Sequence, residues 1–372
     1  MSAPRLEVDL DKIHHNAKTL VDRLAGRGIS VTAVMKASLG SPEIARAVLR
    51  AGVNMIGDSR MENIEAMSRA GVDAPMMLIR SPMISDTQRV VRYADLSLNS
   101  ELDVIRQLSS AAKATGRRHG VILMVELGDL REGIMPSDLE HAVGSVLNMP
   151  NIDLKGIGAN LACHCGVSPD SRNMDQLSAL ADSVEATFGI TLEIISGGNS
   201  ANLNWAFSGA DSGRINNLRL GESVLLGCEP LHRQPIDGLY TNAITLVAEV
   251  IESKIKPSQP WGEIAQTAFG EQAPAVDRGN ISQAILAIGR QDVDPDGLEG
   301  PMGIKVIGAS SDHLIIDCGD LPLPVGAEVR FKLNYSAMVG AMTSPFVAKV
   351  LRASPTPDLV PAVMHNFDGI SG

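Results

Sequence analysis

From Leu6 to about Pro235, short apolar runs alternate with stretches whose apolar residues recur every three or four positions. The runs read as buried strands, and the stretches as helices with one buried face. Residues 6–10 read as a short strand. Asp11 is the expected cap of a helix that puts Ile13, Ala17, Leu20, Val21 and Leu24 on one face. Residues 31–36 form the next strand. Ser41-Pro42-Glu43 then offers a cap, a first-turn proline and an acid near the positive end of a helix. Further strands are expected at 55–58, 76–80, 96–99, 121–126, 154–160, 192–198 and 218–221. Helices are expected over about 62–70, from about 85, from a Ser100 cap to about 115, from 137, and over about 173–188. Counted from residue 31, eight strands fall within about 190 residues, which fits an α/β chain folded as a (β/α)8 TIM-like barrel better than an open sheet.

Beyond Pro235 the pattern changes. Residues 245–251, 284–288, 303–307 and 313–317 are strand-like, with Gly/Pro-rich turns and almost no helical period between them. The expected division is a barrel over 1–235 and an all-β domain over 236–372.

Composition narrows the function. Of 372 residues, 44% are hydrophobic but only 3% aromatic, so the core must be aliphatic and rich in the 16 methionines. A net charge of −11 argues against nucleic acid as the main partner. The four cysteines are not spaced like a disulfide framework and fit a reducing cytoplasm. The N-terminus carries no basic-then-apolar signal, and no apolar run is long enough to span a bilayer.

Lys36 is the odd residue. It ends a buried strand, where lost hydration favours the neutral amine that can attack a carbonyl. A barrel gathers its chemistry at the carboxyl ends of its strands. Those ends carry Lys36, Asp58, Arg80, Glu126 (with Asp129, Arg131 and Glu132 in its loop), Asn160, Gly197-Gly198-Asn199-Ser200, and Arg219 before Gly221-Glu222. The last two loops have the open N–H groups and hydroxyl of a phosphate site. A lysine on the first strand beside a phosphate grip on the last two implies a phosphorylated aldehyde held covalently, which means pyridoxal 5'-phosphate. Cys163-His164-Cys165 invites a metal reading, but three adjacent side chains cannot all point inward and no fourth ligand is spaced to match. No metal is expected.

Val34-Met35-Lys36-Ala37, Gly128-Asp129-Leu130-Arg131-Glu132-Gly133, Arg219-Leu220-Gly221 and Ser311-Asp312-His313 together resemble the alanine-racemase-like (fold type III) pyridoxal-phosphate enzymes. Residues 57–60, 79–82, 125–133 and 289–292 are similar to the ornithine racemase branch. The resemblance implies an amino-acid racemase for a basic substrate of the ornithine or lysine class, acting through a Lys36 Schiff base. It further implies that Arg219 faces the pyridine nitrogen and that Arg131 lies near the ring hydroxyl or the substrate carboxylate. Ser200, Gly221, Glu222 (by its backbone) and Tyr335 would hold the phosphate. Asp312 and His313 would reach the active site of the partner subunit in a head-to-tail homodimer.

The chain also departs from the family pattern. Ser38-Leu39-Gly40 lacks the tyrosine that follows the lysine in alanine racemases. Asn160 stands where a histidine buttresses the arginine. Arg290 aligns with the tyrosine that is the second base; arginine is a poor base but a good carboxylate clamp. His313, with a reference pKa near neutrality, is then the expected second proton carrier. Glu126 and Asp58 are candidates for a distal substrate ammonium. A D-amino-acid lyase of the same fold type is the alternative, with His313 and Asp317 or Cys318 as the remnant of its metal site. A non-catalytic pyridoxal-phosphate carrier is a further alternative, which the extra β domain opposes.

Overall fold

A computed structural model describes residues 3–270 and 276–353. The first strand, β1 (Arg5–Asp9), leads directly into helix α1 (Leu10–Ala25). The cap is Asp9, not Asp11: its carboxylate accepts from the N–H groups of Asp11 (3.1 Å) and Lys12 (3.0 Å). Apolar periodicity locates a helix face but leaves its first residue open by one or two positions.

Eight parallel strands then close into a barrel: β2 (Ser30–Val34), β3 (Met55–Asp58), β4 (Met76–Leu78), β5 (Leu96–Asn99), β6 (His119–Met124), β7 (Ile152–Gly158), β8 (Ile194–Gly198) and β9 (Asn217–Leu220). Closure runs through β9 and β2, in register from Ser30 opposite Asn217 to Ala33 opposite Leu220. The helices between them are α2 (Pro42–Arg50), α3 (Met61–Arg69), α4 (Thr87–Tyr93), α5 (Leu102–Thr115), α6 (Leu139–Leu147), α7 (Ser171–Phe188) and α8 (Leu203–Phe207), with α9 (Glu222–Leu226) after the last strand. The α5 cap position is Glu101 rather than Ser100, and no side chain bonds the helix end there.

Four expected barrel strands overshoot by two residues. Those drawn to Lys36, Arg80, Glu126 and Asn160 stop at Val34, Leu78, Met124 and Gly158. Each side chain of interest therefore lies two residues past the hydrogen-bonded ladder, on the loops at the barrel mouth. Packing stays apolar beyond the last ladder bond, so hydrophobic pattern alone places the strand end too late.

The remaining chain builds an antiparallel sheet from β10 (Ile244–Pro257), β11 (Asn280–Leu286), β12 (Leu298–Glu299), β13 (Lys305–Ala309), β14 (Leu314–Asp317) and β15 (Glu328–Leu333), in the order β12-β15-β10-β11-β14-β13. The N-terminal β1 joins this sheet rather than the barrel. It pairs antiparallel with β10 and parallel with β16 (Ala348–Arg352). A charge network ties these strands together. Arg5 donates to Glu328 (2.6 Å) and Glu7 (2.9 Å), and Arg330 (2.7 Å) and Arg352 (3.0 Å) donate to Glu7.

One helix, α10 (Tyr335–Thr343), interrupts the second region, where the sequence pattern shows none. Its residues are small or apolar almost all round, so no amphipathic period marks it. Asn334 caps it, accepting from the Ala337 N–H at 2.9 Å, and the helix packs on the turn Lys36–Ser38. Among the described residues no helix is long and apolar enough to cross a membrane.

The cap assignment is testable by urea unfolding. Asp9→Ala should lower stability by about 1 kcal/mol, as loss of a helix N-cap does, and Asp11→Ala by much less. The reverse order would return the cap to Asp11.

Candidate active site

The carboxyl mouth of the barrel holds a cavity of about 640 Å³. Lys36, Arg131, Asn160, Ser200, Arg219, Gly221, Glu222 and Tyr335 all line it. Tyr335 comes from the first turn of α10, so the second region closes over the mouth within one chain. The Lys36 Nζ lies 5.8 Å from the centre of the Tyr335 ring. Lys36 itself differs from expectation. It opens the turn after β2 and is exposed in the cavity, not dehydrated by the sheet.

Arg219 is the buried cation of the site, 4% exposed. Its Nη1 donates to Ser196 Oγ (2.5 Å), and its Nη2 to the Ala159 carbonyl (2.8 Å) and Asn160 Oδ1 (3.3 Å). None of these acceptors carries a charge. Burial pushes the guanidinium down to about 10, which still leaves it cationic at neutral pH. Asn160 Oδ1 is also an acceptor for Asn199 Nδ2 at 3.1 Å, which fixes the amide orientation. That leaves the Asn160 Nδ2, buried against the cavity, with no partner.

On the opposite side Ser200 Oγ accepts from the N–H groups of Gly221 and Ser223, both at 3.3 Å, and lies 3.0 Å from Ser223 Oγ. Gly198 makes the preceding turn possible. It sits at φ 147°, and a Cβ there would fall 2.1 Å from Asn202 Oδ1. The cluster of two hydroxyls and two amide N–H groups is a cradle for an oxyanion. Glu222 borders it, and burial pushes its carboxyl up to about 7.

Other acids serve the loops. Asp129 is buried and accepts from the N–H groups of Cys163 (3.0 Å), His164 (2.9 Å), Cys165 (3.1 Å) and Val167 (3.4 Å). Burial pushes its carboxyl up, but these four donors outweigh that and hold it below the usual range. The Cys-His-Cys segment is thus a backbone loop wrapped on one carboxylate, with the Cys163 side chain at the cavity wall. Arg131 is paired through two of its nitrogens with Glu132.

Asp58 and Glu126 are not brought to the cavity lining. Asp58 is fully buried and accepts from the Arg60 N–H (2.9 Å) and Asn63 Nδ2 (3.1 Å); burial pushes it up to about 6. Glu126 accepts from the N–H groups of Gly128 (2.5 Å) and Leu130 (3.0 Å). Arg290, Asp312 and His313 also lie off this chain's own cavity, but they lie together. The Arg290 N–H donates to the Ser310 carbonyl (2.9 Å), and a Cβ on Gly289 would meet the Asp312 nitrogen at 2.4 Å. His313 Nδ1 and Asp312 Oδ1 are 2.8 Å apart. Asp317, weighed as a metal ligand, is held by Arg278 at 2.6 Å.

Sequence reasoning missed Ser196. Its Oγ accepts from Arg219 and donates to Asn217 Oδ1 (2.7 Å), and Asn217 Nδ2 donates to Thr32 Oγ1 (3.0 Å). The available signal was a polar residue inside the apolar run of β8. A further cavity of about 510 Å³ lies beside β1, but its main charges are already paired, Glu7 with Arg330 and Arg352.

This barrel, with a lysine and an oxyanion cradle at its mouth and a second, antiparallel-sheet region that adds Tyr335 to the cavity, is the two-part fold of the alanine racemases. An alanine racemase from Clostridium difficile superposes with a TM-score of 0.71 at 18% identity, over 95% of this chain and 97% of the other. A D-threonine aldolase from Filomicrobium marinum gives 0.71 at 15% identity, over 92% and 89%; fold alone does not separate the two chemistries. Sequence goes further. The model of the family "Alanine racemase, N-terminal domain" matches residues 8–230, and the chain belongs to that family. A lysine racemase from Thermotoga maritima is 37% identical over 356 residues, covering 95% of this chain and all of the relative. An ornithine racemase from Acetoanaerobium sticklandii is 38% identical over 354 residues, covering 94% and 99%.

The burial of Glu222 has a pH consequence. Its pKa rises from 4.5 unfolded to about 7 folded. The folded, ligand-free protein therefore holds an extra proton between those values, and its stability falls as pH rises through that window. In Glu222→Gln that loss disappears. The melting temperature of the variant relative to wild type should be more favourable at pH 8 than at pH 5; an equal difference at both would contradict the assignment.

Proposed function

We propose that the protein is a pyridoxal-phosphate-dependent amino-acid racemase acting on a basic amino acid of the ornithine or lysine class. The observation that carries this reading is the meeting of Lys36, the uncountered Arg219 and the Ser200 cradle in one cavity. Full-length similarity to a lysine and an ornithine racemase supports it over the lyase alternative. The residues fit the cofactor. Asn160 Nδ2 is a buried donor without an acceptor, and the cradle's hydroxyls and N–H groups bond only to one another.

Bound pyridoxal phosphate supplies an electron sink that acidifies the substrate's α-hydrogen. Lys36 provides the amine that ties the cofactor and moves the proton on one face. Arg219, braced by Ser196, Ala159 and Asn160, is the donor for the ring nitrogen. It stays charged at neutral pH and keeps its proton, so it does not act as an acid there. Ser200, the N–H groups of Gly221 and Ser223, and the Tyr335 hydroxyl hold the phosphate. For a distal ammonium the lining offers Glu132 and Glu222, while Asp58 and Glu126 are engaged by their own loops.

His313 of the partner subunit is the second proton carrier in this reading. Asp312 holds its Nδ1 and leaves Nε2 to act. This requires a head-to-tail homodimer, since His313 does not line its own chain's cavity. The exposed thiols of Cys163 and Cys165 suit a reducing cytoplasm.

Lys36→Ala should abolish the visible absorbance of the bound cofactor; an unchanged spectrum refutes the cofactor assignment. Activity on D-ornithine followed by polarimetry should survive a chelator, with no aldehyde or keto acid released; release of either would favour the lyase. Mixing inactive Lys36→Ala and His313→Gln subunits should restore about a quarter of wild-type activity, since half the dimers are mixed and each has one intact site. No recovery would place both residues in one subunit's site, and a His313→Gln enzyme that is active by itself would remove His313 from the chemistry.

A further inference from the structure

The cavity carries more positive charge than its own groups answer. Lys36, Arg80, Arg131 and Arg219 line it against only Glu132 and Glu222. Arg131 is taken by Glu132, Arg219 by three neutral acceptors, and Lys36 by the aldehyde in the reading above. The guanidinium of Arg80 is different. It is half-buried at the cavity wall, and among the described residues no side chain or carbonyl accepts from it. Beside it the Ser81 Oγ is buried and also has no partner. A guanidinium at the cavity wall with no protein acceptor, next in sequence to a buried hydroxyl with no partner, points to a ligand that supplies acceptors.

The segment is stiff. The Ile79 N–H donates to the Asp58 carbonyl at 2.9 Å, and Gly57 leaves room for the Ile79 side chain, which a Cβ would meet at 2.9 Å. Pro82 is buried and holds Ser81 away from helical backbone. Arg80 and Ser81 are therefore presented on a fixed support, which suits recognition of a planar anion by a guanidinium fork and a hydroxyl.

We propose that Arg80 and Ser81 hold the α-carboxylate of the amino-acid substrate. The proposal rests on the racemase reading. With the phosphate in the Ser200 cradle, a basic amino acid brings one anion, and Arg80 is the cavity's unengaged guanidinium. Arg131, bound to Glu132, and Arg290, off this chain's cavity, are the competing clamps.

The test compares ornithine with 1,4-diaminobutane, which lacks only the carboxylate, on the cofactor-loaded enzyme. Binding is read from the change in visible absorbance, and turnover from α-proton exchange. Arg80→Gln should weaken ornithine roughly tenfold to a hundredfold, the loss of one charged hydrogen-bond pair, and leave the diamine within about threefold. Arg80→Lys should fall between, and Ser81→Ala should lower the ornithine-to-diamine ratio with the substrate-free spectrum unchanged. If Arg80→Gln does not fold, the Ser81→Ala ratio decides, and an unchanged ratio overturns the proposal. So does equal weakening of both ligands, a shifted substrate-free spectrum in Arg80→Lys (Arg80 then serves the cofactor), or loss of discrimination in Arg131→Gln but not in Arg80→Gln. A wild-type enzyme that binds neither ligand overturns the racemase reading and this one with it. A wild type that exchanges α-protons, with discrimination intact in Arg80→Gln, overturns this one alone.

Discussion

The Arg219 guanidinium is buried without a carboxylate, and the mouth of the barrel is organised around keeping it charged. Ser196, the Ala159 carbonyl and Asn160 supply neutral acceptors from the neighbouring strand and loop. The bonds continue from Ser196 through Asn217 to Thr32, so a single polar chain crosses β8, β9 and β2 where the barrel closes. Burying a cation in this way is costly unless a further acceptor arrives. The Asn160 Nδ2, which has no partner among the described residues, belongs to the lining of the same cavity. In the proposed function, the cofactor's ring nitrogen would be the acceptor that answers the arginine.

The second constraint is that the Arg290–Asp312–His313 cluster lies off the cavity this chain lines. Helix α10 brings Tyr335 within 5.8 Å of Lys36. The cluster sits on turns of the antiparallel sheet, held together by the contact of Gly289 with the 311–312 backbone. Strand β1 fastens that sheet to α1 and so to the barrel, with the Arg5–Glu7–Glu328 network covering the junction.

Much of this was legible in the sequence because the barrel's period is strong and its strand ends carry polar residues that an apolar run does not explain. Lys36, Arg219 and the 197–200 turn stand out in that way. The four strand ends were drawn two residues too long because burial continues past the ladder. Asp9 was passed over as a cap because a β-strand residue and a helix cap look alike when the two elements abut. Helix α10 leaves no period to find, since it carries no charged residue and its exposed positions are only the small Ser336 and Thr343. Asp58 and Glu126 read as free carboxylates in the sequence, because the N–H donors that occupy them are brought in by the folded loops. Ser196 is hidden because a serine in an apolar run has many ordinary explanations, and Ser81 because a serine before a proline reads as a plain loop residue.

The central claim is that two bases act on opposite faces of one α-carbon. It is tested most directly by proton NMR of D- and L-ornithine and lysine incubated with the cofactor-loaded enzyme in deuterium oxide. The account predicts that the α-proton signal disappears from both enantiomers of the preferred substrate and that each converts to the other. Exchange confined to one enantiomer with full retention, or no exchange with any of the four, would contradict it.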